Sequence, residues 1–115
     1  MPNIQSAAIT IMVSDMDKSI AFYAEVLGFK VKSRYGNHWA DLEIPGLHIG
    51  LHPTDKPIAK GENMQIGLKV SDLDETVKEL ETKGIQFTFN PDDQVNIATF
   101  QDPDGNTLYF IKADW

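Results

Sequence analysis

The 115-residue chain contains no cysteine, which excludes disulfides, thiolate metal centres and cysteine nucleophiles together. It is also short of positive charge. Its 10 Lys and Arg are outnumbered by 17 Asp and Glu, for a net charge of −7. That balance makes a poor partner for nucleic acid, whose phosphates demand a basic face, and for an anionic membrane surface. No apolar run approaches the roughly 18 residues that span a bilayer. Met1 to Thr10 has neither the basic start nor the long apolar centre of a secretory signal, so a cytoplasmic protein is expected. A Gly-rich phosphate loop, a nucleophile elbow and a Ser-His-Asp arrangement are missing too.

What the chain does have is a repeat. Val-Ser-Asp-Met-Asp at Val13 to Asp17 returns as Val-Ser-Asp-Leu-Asp at Val70 to Asp74. Each copy follows an alternating apolar run, opens an amphipathic run and closes on a glycine, Gly28 or Gly84. Self-similarity at a fixed offset decides architecture before any local reading. The chain is one supersecondary unit written twice, with module 1 over residues 1–57 and module 2 over residues 58–115 of a single domain. Halves this small bury too little surface to stand alone, so a homodimer is expected.

Ser6 to Val13 alternates with the period of a half-buried strand, Ile9, Ile11 and Val13 on one face and Ala8, Thr10 and Met12 on the other. Ser14 or Asp15 caps the following helix, whose stripe of Met16, Ile20, Tyr23 and Leu27 has helical spacing. Phe29 to Tyr35, His38 to Ile44 and Leu47 to His52 are three further strands, joined by Gly36-Asn37 and Pro45-Gly46 turns. Pro53 to Asn63 is the linker. Met64 to Val70, a helix over Asp72 to Lys83, and strands at Ile85 to Phe89, Val95 to Gln101 and Thr107 to Lys112 repeat the pattern, with turns at Asn90-Pro91-Asp92 and Asp102-Pro103-Asp104-Gly105. The expected fold is α+β: two tandem βαβββ modules whose mixed sheets curve inwards around a cleft, helices on the outer faces.

Function then belongs on the strand faces turned away from the helices. In the third strand those are Trp39, Asp41 and Glu43; in the fourth, His48, Gly50 and His52. An aromatic face beside carboxylates suits a cationic or aromatic molecule, through stacking, cation–π and Coulomb attraction. Tyr109, Thr107, Thr10 and Met12 would add wall and hydroxyl donors. The bland alternative makes Asp41 and Glu43 a solvated edge and Trp39 a core residue. Asp102-Pro103-Asp104-Gly105 looks like a carboxylate pair but is built as a turn.

The strand with its Val-Ser-Asp-Met-Asp cap, the run Ser19-Ile20-Ala21-Phe22-Tyr23 to Val26-Leu27-Gly28-Phe29, and the late Asp102-Pro103-Asp104-Gly105-Asn106 resemble the vicinal oxygen chelate superfamily of glyoxalase I, bleomycin and fosfomycin resistance proteins and extradiol dioxygenases. The resemblance spans essentially the whole chain and implies a metal site with one ligand from the first and fourth strand of each module. Those positions fall at Ala8, Gly50, Gln65 and Tyr109. Of these only Gln65 is an ordinary donor, since alanine and glycine offer none and a neutral phenol is a poor one.

Two readings follow. In the first, the protein is similar to the bleomycin resistance group and needs no cofactor: it binds a small aromatic or cationic molecule in a cleft lined by Trp39, Asp41, Glu43, His48, His52, Gln65, Tyr109, Thr10 and Met12. In the second, a divalent metal at a displaced site of His48, His52, Gln65 and Glu43 supports a lyase or isomerase of the glyoxalase kind or dioxygenase-like chemistry, with a nearby His or Glu moving a proton; in a metal-free enzyme His48 or His52 would be the base. Residues four apart on a strand are roughly 13 Å apart, which sets His48 and His52 against sharing one ion unless the strand bends.

Overall fold

The computed structural model of the chain describes residues 2–89 and 97–112. It divides into two compact units, residues 1–58 and 59–115. The expected turn at Asn90-Pro91-Asp92 lies outside the described residues.

In the first unit, β1 (Ile9–Val13), β2 (Lys30–Tyr35), β3 (Trp39–Ile44) and β4 (Leu47–Pro53) form a sheet in the order β1-β4-β3-β2. β1 runs parallel to β4, and the other pairs are antiparallel. Ile11, Val13, Ala40, Leu42, Ile49 and Leu51 are buried on one face of this mixed sheet. Alternation at period 2 leaves Thr10, Met12, Asp41, Glu43, His48, Gly50 and His52 on the other.

α1 (Met16–Ile20) starts where the sequence places it. Asp15 is its N-cap and accepts from the Lys18 N–H at 3.1 Å, satisfying an amide that the first turn leaves unpaired. The helix does not continue as a regular α-helix. Residues Ala21–Val26 are a π-helix, in which the Leu27 N–H reaches the Phe22 carbonyl at 3.0 Å. Each π turn holds an extra residue, so the expected stripe shifts: Met16, Ser19 and Tyr23 are buried, while Ile20 and Leu27 are only half-buried. Tyr23 is fully enclosed and meets Phe22 and Phe29 edge-on at ring separations of 5.3 and 5.4 Å. The run ends at Gly28, whose φ of +85° is the left-handed conformation expected there.

The β2–β3 hairpin departs from expectation by one residue. His38 belongs to the turn, its N–H bonding to the Tyr35 carbonyl at 3.0 Å, and Tyr35 pairs with Trp39. Arg34 donates to the Gly36 carbonyl, to Asn37 and to Asp17 of α1. The exposed hairpin is thereby tied to the helix.

The second unit repeats the layout with β5 (Gly61–Lys69), α2 (Leu73–Glu81), β6 (Thr88–Phe89), β7 (Ile97–Gln101) and β8 (Asn106–Ile111), in the order β5-β8-β7-β6. β5 begins at Gly61 rather than at Met64, inside the expected linker, and its register shifts between Gly61 and Gln65. Asp72 caps α2 by accepting from the Glu75 N–H at 3.0 Å. Phe87, Phe100 and Phe110 form one aromatic cluster, Phe100 and Phe110 stacked at 5.0 Å. Buried Asp102 builds the last turn: it accepts from the backbone N–H groups of Asp104 and Asn106 and from the Asn106 amide at 2.8 to 2.9 Å. No described helix is long and apolar enough to cross a membrane.

Candidate functional site

The face of the first sheet turned away from α1 carries most of the side chains that the sequence singles out. β3 places Trp39, Asp41 and Glu43 there, each half-buried, between the fully buried Ala40 and Leu42. Pairing sets Asp41 across from Gly50 on one side and from Ser33 on the other, with Glu43 across from His48. Thr10 lies beside Gly50 and Met12 beside His52 on the parallel strand.

Trp39 does not project freely from this face. Its benzo ring sits over Gly50, so close that a Cβ at residue 50 would lie 2.3 Å from Cζ2 and 2.5 Å from Cη2. Glycine is therefore required at position 50 by the indole and not by backbone torsion. His52 approaches the same indole edge-on, with ring centres 6.1 Å apart.

Asp41 fixes the other end of the indole. Oδ1 accepts from Trp39 Nε1 at 2.7 Å and Oδ2 accepts from the Ser33 hydroxyl at 2.7 Å. These donors, Ser33 first and then Trp39, favour the ionised carboxylate and hold its pKa below the usual aspartate value. Glu43 is engaged as well: Lys32 Nζ and His48 Nδ1 each lie 3.7 Å from Oε2. Lys32 reaches this face because the register shift between Val31 and Ser33 keeps it on the side of Lys30, which pairs with Glu43.

Depressions open near both imidazoles of β4. One of ≈ 450 Å³ is lined by Ala8, Lys32, Ser33, Asp41 and His48 among others. Another of ≈ 570 Å³ is lined by Met12, His52, Pro53, Thr54, Asp55 and Lys56. Met12 stays 42% exposed, an apolar side chain uncovered beside an aromatic pair.

In the second unit an aromatic also covers a glycine. Tyr109 lies across from Gly67, and a Cβ there would be 2.4 Å from the phenol oxygen. Gln65 is exposed on β5 and Thr107 is buried on β8.

The four positions that the resemblance marks for a metal do not fit one. Ala8 supplies no donor and precedes β1. Gly50 supplies none either, and the space through which a ligand side chain would leave it is filled by indole. The Tyr109 phenol is packed over Gly67. As for the displaced set, Glu43 meets His48 while His52 meets Trp39, and among the described residues no three His, Asp or Glu side chains group to hold an ion.

Ser33 and Gly67 are the members that sequence reasoning missed. Ser33 was hidden by the turn. A two-residue Gly36-Asn37 turn sets Ser33 opposite Ala40, whereas the observed three-residue turn sets it opposite Asp41, and a one-residue slip turns every side chain over.

Comparison with known proteins places this geometry in context. The model of the Glyoxalase/Bleomycin resistance protein/Dioxygenase superfamily matches residues 5–110. An uncharacterized protein of Mycolicibacterium smegmatis is 34% identical over 107 residues, covering 90% of each chain. The uncharacterized protein YurT of Bacillus subtilis is 32% identical over 120 residues, covering 90% of this chain and 94% of its own. Among solved structures, the hypothetical protein SA1046 from S. aureus superposes with a TM-score of 0.79 at 22% identity, over 97% of this chain and 96% of that one. The fosfomycin resistance protein FosX from Listeria monocytogenes, solved with Mn(II) and sulfate ion, superposes with a TM-score of 0.80 at 19% identity, over 96% and 91%. At those identities the structures attest to the fold alone.

Proposed function

Since the chain belongs to the glyoxalase/bleomycin resistance protein/dioxygenase superfamily, we propose that it is a binding protein that holds a small aromatic molecule against the Trp39 face of its first sheet, without the superfamily's four-ligand metal site. The observation that carries this reading is the contact between Trp39 and Gly50: where the resemblance calls for a ligand side chain, this chain has a ring.

The chemistry of the face supports it. The indole, the His52 ring and the Met12 thioether offer polarisable surface, and aromatic pairing contributes about 0.5–1.5 kcal/mol beyond the area buried. Thr10 and the exposed imidazole edges are donors and acceptors that can orient a ring substituent. Pockets for small molecules are commonly apolar with a few placed polar groups. A lyase, isomerase or dioxygenase with a metal would need at least three convergent protein donors, which supports binding over metal chemistry.

The test is metal content of protein purified without chelator, together with unfolding temperature in manganese, nickel, zinc and iron(II), and quenching of Trp39 emission by planar aromatic probes. Saturable quenching with less than stoichiometric metal supports the proposal. Retention of one ion per chain, with a metal-dependent rise in unfolding temperature, would replace it with metal-dependent catalysis.

A further inference from the structure

The two carboxylates that sequence reasoning offers to a cationic ligand already have partners within the unit. Both oxygens of Asp41 accept hydrogen bonds, one from Trp39 and one from Ser33. Glu43 lies beside a lysine and a histidine. A cation arriving at this face would compete with an ammonium for Glu43 and with two donors at 2.7 Å for Asp41. Charge-assisted hydrogen bonds of that length are the stronger kind.

We propose that Asp41 is the positioning residue for Trp39, holding the indole over Gly50 through the Ser33–Asp41–Trp39 chain, so that an aromatic molecule binds here through the fixed ring and not through a salt bridge to Asp41. This rests on the binding reading above and adds how its aromatic wall is held. Three contacts fix the indole. Asp41 holds Nε1 from the side, Gly50 admits the benzo ring from below, and His52 bounds it edge-on. A wall fixed before the ligand arrives loses less entropy on binding. Ser33 in turn fixes the carboxylate, and it comes from the neighbouring strand, so the rotamer of Asp41 is set by the hairpin register.

Positioning and charge attraction predict opposite behaviour for one substitution. The amide of Asp41→Asn can still accept from Trp39 through its oxygen and donate to the Ser33 hydroxyl through its nitrogen, since a hydroxyl both gives and takes. It keeps the hydrogen bonds and loses the charge. Asp41→Ala loses both.

The experiment uses the full chain carrying Trp115→Phe, so that Trp39 is the single tryptophan and is excited selectively at the red edge of its absorption, and compares the parent with Asp41→Asn, Asp41→Ala and Ser33→Ala. Naphthol is the neutral probe and trimethylnaphthylammonium the cationic one, titrated under conditions where circular dichroism shows each variant folded. The expected result is naphthol binding that is retained in Asp41→Asn and weakened about tenfold in Asp41→Ala, the equivalent of one lost hydrogen bond. In the absence of probe, Trp39 emission should shift to the red in Asp41→Ala and in Ser33→Ala but not in Asp41→Asn. Equal losses of naphthol binding in Asn and Ala, or binding of the cation that is abolished in Asp41→Asn, would overturn the proposal. If neither probe binds the parent, the binding reading fails, while the emission of the unliganded variants still reports whether Asp41 positions the indole.

Discussion

Trp39 and Gly50 exclude any third group between them: the indole benzo carbons lie where a side chain at residue 50 would begin. The contact joins β3 to β4 on the face away from the helix, and the Asp41 hydrogen bond prevents the ring from tilting aside without loss.

Gly50→Ala therefore has a specific signature. The added methyl cannot be accommodated by backbone, so the indole moves and its bond to Asp41 breaks. Overpacking of this kind costs about 1–3 kcal/mol. Urea denaturation should show that loss, and in a Trp115→Phe background the emission of Trp39 should move to the red. Unchanged emission would mean that the ring does not rest on Gly50.

Acid should act on the same group. Ser33 and Trp39 hold the Asp41 pKa below the ordinary 3.8, so the folded protein binds that proton less readily than the unfolded chain. The resulting stability is fully present above the ordinary aspartate value and is lost as pH falls through the lowered one. Denaturation midpoints measured from about pH 5 down to about pH 2 should fall less steeply in Asp41→Asn than in the parent. Superimposable slopes would show that the two hydrogen bonds carry no net linkage.

Ser19 is fully buried in α1 and its hydroxyl has no hydrogen-bond partner among the described residues. An unpaired buried polar group costs roughly 1–3 kcal/mol, and alanine is the better helix former. Ser19→Ala should raise the unfolding free energy by about 1 kcal/mol. A loss of stability instead would reveal a partner, such as a buried water, for that hydroxyl.

Asp102 shows the opposite case. Its carboxylate accepts from two backbone N–H groups and one side-chain amide inside a buried turn. Asp102→Ala strands those donors, with an expected cost of roughly 3 kcal/mol. The urea midpoint should drop with an unchanged m-value. A near-neutral result would imply that water replaces the carboxylate.

The fold was legible because it is written twice. The two Val-Ser-Asp motifs marked both helix starts, and in the structure Asp15 and Asp72 are the N-caps. Period-2 alternation correctly separated Trp39, Asp41 and Glu43 from Ala40 and Leu42. Three features escaped, each because it adds or moves a residue against a regular period. The π turn at Ala21–Val26 shifts the helix stripe, the three-residue turn shifts Ser33 by one place, and the irregularity between Val31 and Ser33 offsets that slip, so that Lys32 stays on the Glu43 face beside Ser33. Of the candidate site, the identities of the side chains were readable but their partners were not. Hydrogen-bond partners depend on register, and register is decided by turn geometry rather than by composition. That is why Asp41, assigned from sequence to a ligand, is bonded to Trp39 and Ser33 in the structure.

The ring-on-glycine contacts also set an order on mutational history. A side chain can come to position 50 without displacing the indole only after Trp39 has been exchanged for something smaller, because the reverse order passes through a clash. The same holds for position 67 beneath Tyr109. In the first unit the ring comes from β3 and the glycine from β4, while in the second the ring comes from β8 and the glycine from β5. The two halves have thus acquired the same one-way lock at non-equivalent places, and a chain assembled from two copies of either half would not reproduce the face of the other.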